Sequence, residues 1–176
     1  IYRVAPESSI MNALINARKN RKDVTVLLEL QARFDEKSNL RWAERLRSEG
    51  IRVIYGVRGL KVHSKLLLIT GKEGKKRIRY ACIGSGNLNE ETATVYTDCF
   101  LLTARPEITE EVFRVFEFFT ANYRLNPFRR LVLSPFSFRE KMCSLIDREI
   151  RHVRKGGDGR IDLKLNNLAD QILVDK

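Results

Sequence analysis

Val24–Leu28 is a run of β-branched and aliphatic residues of strand length, Ser38–Ser48 is rich in helix formers, and Ile51–Tyr55 is again strand-like. Strand, helix and strand in that order constrain the fold more than any other feature of the chain. Parallel strands cannot be joined by a tight turn, so the helix must cross over one face and bury its apolar side there. The helix has that side, with Leu40, Trp42, Ala43 and Leu46, an N-cap candidate in Ser38 and a stop at Gly50. An α/β architecture follows.

The next segments extend it. Val62–Ile69 reads as a third strand, Gly71–Gly74 as a turn and Arg77–Ile83 as the returning strand of a hairpin. Asp98–Leu102 predicts another strand, and Pro106–Tyr123 a helix with a broad apolar face at 108, 112, 113, 115, 116, 118 and 119. Further on, Phe128–Ser134 predicts a strand, Phe136–Val153 a long helix, Ile161–Leu165 a strand and Leu168 onward a helix. Gly156-Gly157-Asp158-Gly159 reads as a linker. The expected division is a catalytic domain over 1–155, then a linker and the start of a second domain over 156–176. With Ile1 in place of a start methionine, the chain is expected to be an internal piece of a longer protein.

No stretch is long enough to cross a bilayer, and the first residues do not resemble a signal peptide. Cys82, Cys99 and Cys143 lack metal-ligand spacing and lie among apolar neighbours. They read as small buried hydrophobes in a reducing, cytoplasmic protein, peripheral membrane association being left open. The formal net charge is +11, and its distribution is uneven. Residues 51–80 hold nine Lys or Arg against one acid, whereas residues 81–120 hold two against seven. A polyanion is the natural partner of such a field, whether nucleic acid, polyphosphate or nucleotide.

His63 and Lys65 lie inside the basic segment and, two residues apart on the expected strand, would share one face. One hairpin later comes Gly84-Ser85-Gly86-Asn87-Leu88-Asn89, a turn able to offer backbone N–H groups and amides to an anion. Asn87 and Asn89 could equally bond their own turn. Imidazole nucleophile, ammonium and amide cradle together suit attack on phosphorus. Neighbouring cations favour neutral imidazole, its nucleophilic form. The other histidine, His152, has no supporting motif and reads as a surface residue.

His63-x-Lys65 followed by Gly84-Ser85-x-Asn87 resembles the signature of the phospholipase D superfamily. That signature has an aspartate five residues after the lysine; Thr70 stands there instead, which argues against simple phosphodiester hydrolysis. The resemblance to the phospholipase-D-like polyphosphate kinases is fuller. It runs through Tyr2-Arg3-Val4-Ala5, Ala32-Arg33-Phe34-Asp35-Glu36, Trp42–Leu46, Gly59–Lys65, Ile83–Asn89, Thr92-Ala93, Tyr96-Thr97-Asp98, Leu101–Ala104, Ser134-Pro135-Phe136 and Leu163–Leu168, in the family's order.

The resemblance implies a mixed β-sheet flanked by helices, one half of a two-half catalytic core. It implies reversible transfer of the ATP γ-phosphoryl group to inorganic polyphosphate through a phosphohistidine at His63. Lys65, Ser85 and Asn87 would hold phosphate, Tyr96 the nucleotide, and Arg3 and Arg33 the magnesium–phosphate part of the site. A guanidinium has no acceptor for Mg²⁺, so the arginines would grip phosphate oxygens that the metal also holds. Read without the family, Arg33 could cap a strand end or pair with Asp35 or Glu36, Arg3 could be surface charge, and Tyr96 a satisfied core residue. A second catalytic domain of the same chain and a homo-oligomer are also implied, with nucleic acid an unlikely partner. The 176 residues alone are expected to fold but to be feeble as a kinase. A phosphodiesterase or nuclease using His63, and a non-catalytic polyanion-binding module, are the alternatives.

Overall fold

The computed structural model describes residues 1–30, 32, 36–123, 127–165 and 167–176. The chain forms two compact units, Ile1–Pro127 and Phe128–Lys176, so the break expected near 156 falls inside the second. The class is α/β, as the sequence implies, with parallel and antiparallel pairing in separate sheets.

In the first unit, helix α1 (Ser9–Lys19) precedes strand β1 (Thr25–Leu28), helix α2 (Glu36–Ser48) and strand β2 (Arg52–Tyr55). β1 and β2 pair in parallel, Thr25 with Arg52 through Leu28 with Tyr55, as a crossover demands. Val4, Met11, Ile15, Val26, Leu28, Trp42, Ala43, Leu46 and Ile51 make one core beneath them. The helix begins two residues before Ser38, whose hydroxyl donates to the Val4 carbonyl at 3.0 Å instead of capping. Helix α1 was not anticipated; Ser8 caps it by accepting from Met11 N–H, and its Met11 and Ile15 are buried.

Strands β3 (Lys65–Glu73), β4 (Lys76–Gly84) and β5 (Phe100–Thr103) form an antiparallel sheet in the order β3-β4-β5. Glu73 opposes Lys76, so the hairpin turn is Gly74-Lys75, narrower than expected; Gly74 adopts φ +59°, which tight hairpins demand. A short helix α3 (Glu90–Ala93) lies between β4 and β5, and α4 (Pro106–Thr120) follows. Arg79 on β4 meets Glu110 and stacks 4.2 Å from the Phe113 ring centroid, which marks the sheet face that α4 covers. Ala81, on that face, is buried. Alternation puts Leu67, Ile69, Tyr80, Cys82, Phe100 and Leu102 on the opposite face with Lys65. Ile69, Tyr80, Phe100 and Leu102 are all exposed there, Leu102 by 77%.

The second unit contains helix α5 (Phe138–Arg154) and helix α6 (Gln171–Val174), joined by Arg139–Asp170 and Lys176–Asp147 pairs. Neither Phe128–Ser134 nor Ile161–Leu165 forms a strand. β-Propensity alone does not make a strand; a ladder partner does, and neither segment has one among the described residues. The cysteine expectation also needs correcting, since Cys99 is exposed and Cys82 and Cys143 are half-buried; all three are free. Among the described residues no helix is long and apolar enough to cross a membrane.

Candidate active site

His63 lies before β3, not on it. What positions it is the loop from β2. Val57 and Leu60 close a turn in which Gly59 takes φ +77°, a conformation costly for other residues. Val57 and Val62 then bury themselves against Leu27. Val62 pointing inward leaves Lys61, His63 and Ser64 exposed on either side of it. The Val62 N–H donates to Glu29 Oε2 at 3.0 Å, and Glu29 is a buried carboxylate just past β1.

Lys65 opens β3 and is only 8% exposed. The two side chains do not meet by strand alternation. Lys65 folds back so that Nζ donates to the His63 carbonyl at 2.6 Å and stands 3.0 and 3.1 Å from the ring nitrogens Nδ1 and Nε2. Partial loss of hydration, then the charges of Lys65, Arg3 and Lys61, hold the His63 pKa below its ordinary value. Burial brings Lys65 down from 10.5 to about 8, with Asp98 opposing the fall and Arg3 assisting it. The imidazole is thus kept neutral in a positive surrounding.

Asp98 links this pair to the glycine-rich turn. Ser85 Oγ donates to Asp98 Oδ1 at 2.8 Å and accepts from Cys99 N–H at 3.0 Å. A Cβ at Gly86 would overlap the Asp98 side chain, so a larger residue there would have to displace it. Asn89 settles as the N-cap of α3, accepting from Thr92 N–H at 2.9 Å. Asn87 behaves differently: its Oδ1 is buried with no hydrogen-bond partner among the described residues. An orphan acceptor costs about 1–3 kcal/mol and needs a donor, which phosphate oxygens do not supply; Asn87 would meet a phosphate through Nδ2. The carboxylate acting on Lys65 is Asp98, while Thr70, in the signature's acidic position, is exposed on β3 opposite Arg79.

Arg3 is half-buried and joins the His63 cluster through Tyr2. Tyr96 is 58% exposed on the segment between α3 and β5, two residues before Asp98, so it is not the core residue its sequence suggests. Arg33 lies outside the described residues. His152 is exposed, as expected. Sequence reasoning missed Tyr2, Glu29 and Asp98 as site residues; the only signal for Tyr2 and Asp98 was their place beside Arg3 and Tyr96 in the resembling segments.

Among the described residues no group of three or more His, Cys, Asp or Glu could hold a metal ion. Arg3 carries no lone pair to offer one. Arg3 therefore suits phosphate oxygens and not a metal ion. An open cavity of about 570 Å³ lies beyond the carboxyl ends of β1 and β2, lined by Glu29, Tyr55, Arg58 and Lys61 among others. Strand ends of this kind are where α/β sheets place ligands.

A family model described as polyphosphate kinase C-terminal domain 1 matches residues 1–125, and one described as C-terminal domain 2 matches residues 131–176. The chain belongs to the polyphosphate kinase family. Polyphosphate kinase of Klebsiella pneumoniae is 52% identical over all 176 residues, and that of Escherichia coli K12 is 51% identical. A crystal structure of polyphosphate kinase from Porphyromonas gingivalis superposes with a TM-score of 0.73 at 41% identity, covering 88% of this chain. The chain spans 26% of the length of each of these relatives.

Proposed function

We propose that this chain carries the nucleophile of an ATP–polyphosphate phosphotransferase. The observation that supports this best is the contact of Lys65 Nζ with the ring of a histidine held neutral among cations. Neutral His63 attacks the γ-phosphorus of ATP, presented as its Mg²⁺ complex. The N–P bond forms as the bond from phosphorus to the β-bridging oxygen breaks, and ADP leaves. A terminal oxygen of polyphosphate then attacks the phosphoryl group, the N–P bond breaks, and neutral imidazole returns.

Lys65 must exchange its ring contact for an oxygen of the incoming phosphoryl group, which frees the attacking nitrogen. Charge in such transition states spreads over the phosphoryl oxygens, so fixed cations matter more than acid–base chemistry. Arg3, Arg33 and Asn87 serve those oxygens, Ser85 holds the turn with its hydroxyl given to Asp98 and its N–H to Cys99, and Tyr96 serves the nucleotide. The uncovered apolar face beside Lys65, with Ile69, Tyr80, Phe100 and Leu102 exposed, supports a composite site completed by a second catalytic domain. These residues alone are accordingly feeble as a kinase. The family resemblance supports a homo-oligomeric, cytoplasmic whole protein.

The test is covalent labelling of the full-length protein by γ-phosphate-labelled Mg-ATP. Acid-labile, base-stable label in the wild type and none in His63→Ala is expected. Equal labelling of the variant removes His63 from the role.

A further inference from the structure

Tyr2 has no part in the chemistry above, yet the cations of the site are arranged around its ring. The ring is buried, at 8% exposure. The Arg3 guanidinium carbon lies 5.5 Å from its centroid, Lys61 Nζ 5.6 Å and Lys65 Nζ 5.8 Å. The His63 ring meets it edge to face, with centroids 4.5 Å apart at 79°. A cation within about 6 Å of an aromatic face gains roughly 0.5–2 kcal/mol, more as water is excluded. Mutual repulsion favours their spreading apart, and for Lys65 the donation to the His63 carbonyl opposes it as well. A carboxylate in the same place would also gather them, but it would cancel the positive potential that a phosphate needs. An aromatic face attracts the cations and leaves their charge intact.

The backbone beneath the ring is anchored to the parallel sheet. Asn39, fully buried on α2, donates through Nδ2 to the Tyr2 carbonyl and to the Glu29 carbonyl, both at 2.9 Å. Glu29 N–H donates to the Ile1 carbonyl at 2.9 Å, while its carboxylate holds Val62, next to His63. Ring and nucleophile are thus tied to one rigid scaffold.

We propose that Tyr2 is a positioning residue which gathers Arg3, Lys61 and Lys65 beside His63 into one phosphate-binding cluster, with Lys61 a further phosphate contact. The purpose of the cluster rests on the phosphoryl-transfer reading; its test does not use ATP. Tripolyphosphate affinity is measured by calorimetry on the full-length protein carrying Tyr2→Leu, Tyr2→Phe or Lys61→Gln, with unfolding midpoints as controls. Tyr2→Leu is expected to weaken binding about tenfold, the loss of one to two cation–π contacts. Tyr2→Phe keeps the aromatic face and is expected to restore that loss.

Lys61→Gln, at an exposed position that does not threaten the fold, is expected to weaken binding several-fold and to reduce its salt dependence. Wild-type affinity in Tyr2→Leu, or in Lys61→Gln, overturns the proposal, as does an equal loss in Tyr2→Phe and Tyr2→Leu. If the affinities follow the expected pattern but no phosphohistidine forms, the cluster stands and the kinase reading falls. If His63 is labelled while Tyr2→Leu binds normally, the reverse holds.

Discussion

Replacing Lys65 by methionine should leave the fold at least as stable while it cripples the chemistry. A lysine whose pKa falls from 10.5 to about 8 on folding carries a penalty for its charge of about 3 kcal/mol at neutral pH. Methionine keeps the stem and removes that penalty. It also removes the donation to the His63 carbonyl, worth about 1.5–3 kcal/mol as a charge-assisted bond. The two effects are of similar size, so the variant is expected to be at least as stable as the wild type, where loss of a buried polar group ordinarily costs stability. The pH dependence is the sharper readout. Below pH 8 Lys65 is protonated in both states and the penalty is complete; between about 8 and 10.5 only the unfolded chain keeps the proton, so stability climbs with pH. Urea denaturation of the 176-residue chain at pH 7 and pH 10 should therefore show a rise in the wild type that exceeds the rise in Lys65→Met by about 2–3 kcal/mol. Covalent labelling in the full-length variant should meanwhile fall roughly 10²–10³-fold, the cost of one electrostatic donor. A variant that is destabilised by 2 kcal/mol or more, with wild-type pH dependence, would refute this account of Lys65.

The rate of His63 labelling should stay high below pH 6.5, because the neutral ring persists there, and should fall above about 8 as Lys65 loses its proton; Lys65→Arg should move the alkaline fall upward. Asn39→Ala removes the buried donor to the Tyr2 and Glu29 carbonyls and should cost about 1–3 kcal/mol in urea denaturation; a loss under 0.5 kcal/mol would contradict the anchoring role. Leu102→Asp, at a position 77% exposed, should leave the stability of this chain within about 0.5 kcal/mol and yet depress the activity of the full-length protein. Unchanged activity would argue against a partner domain on that sheet face.

Local pattern carried much of the fold. The parallel crossover of β1, α2 and β2, the β3–β4 hairpin and α4 were legible because period-two and helical spacing report which side of an element is buried. The same reasoning went astray at Phe128–Ser134 and Ile161–Leu165, whose composition suits a strand but which have no ladder partner among the described residues. In the site, the types and spacing of His63, Lys65 and Asn87 pointed to phosphate chemistry before any geometry was known. The manner of their meeting was not legible, since a strand face was expected and a lysine folded back on a loop histidine was found.

By itself the sequence determined the α/β class, the family, the basic surrounding and the identity of the candidate nucleophile. All of these depend on residue type and short-range spacing, which a linear chain displays directly. Only the tertiary structure decided that Tyr2 lies against His63, that Asp98 acts on Lys65 while holding Ser85, and that Glu29 secures the loop through Val62. These contacts join residues 13 to 61 positions apart in the chain. They exist because the sheets bring distant segments within a few ångströms, and no local periodicity encodes that approach.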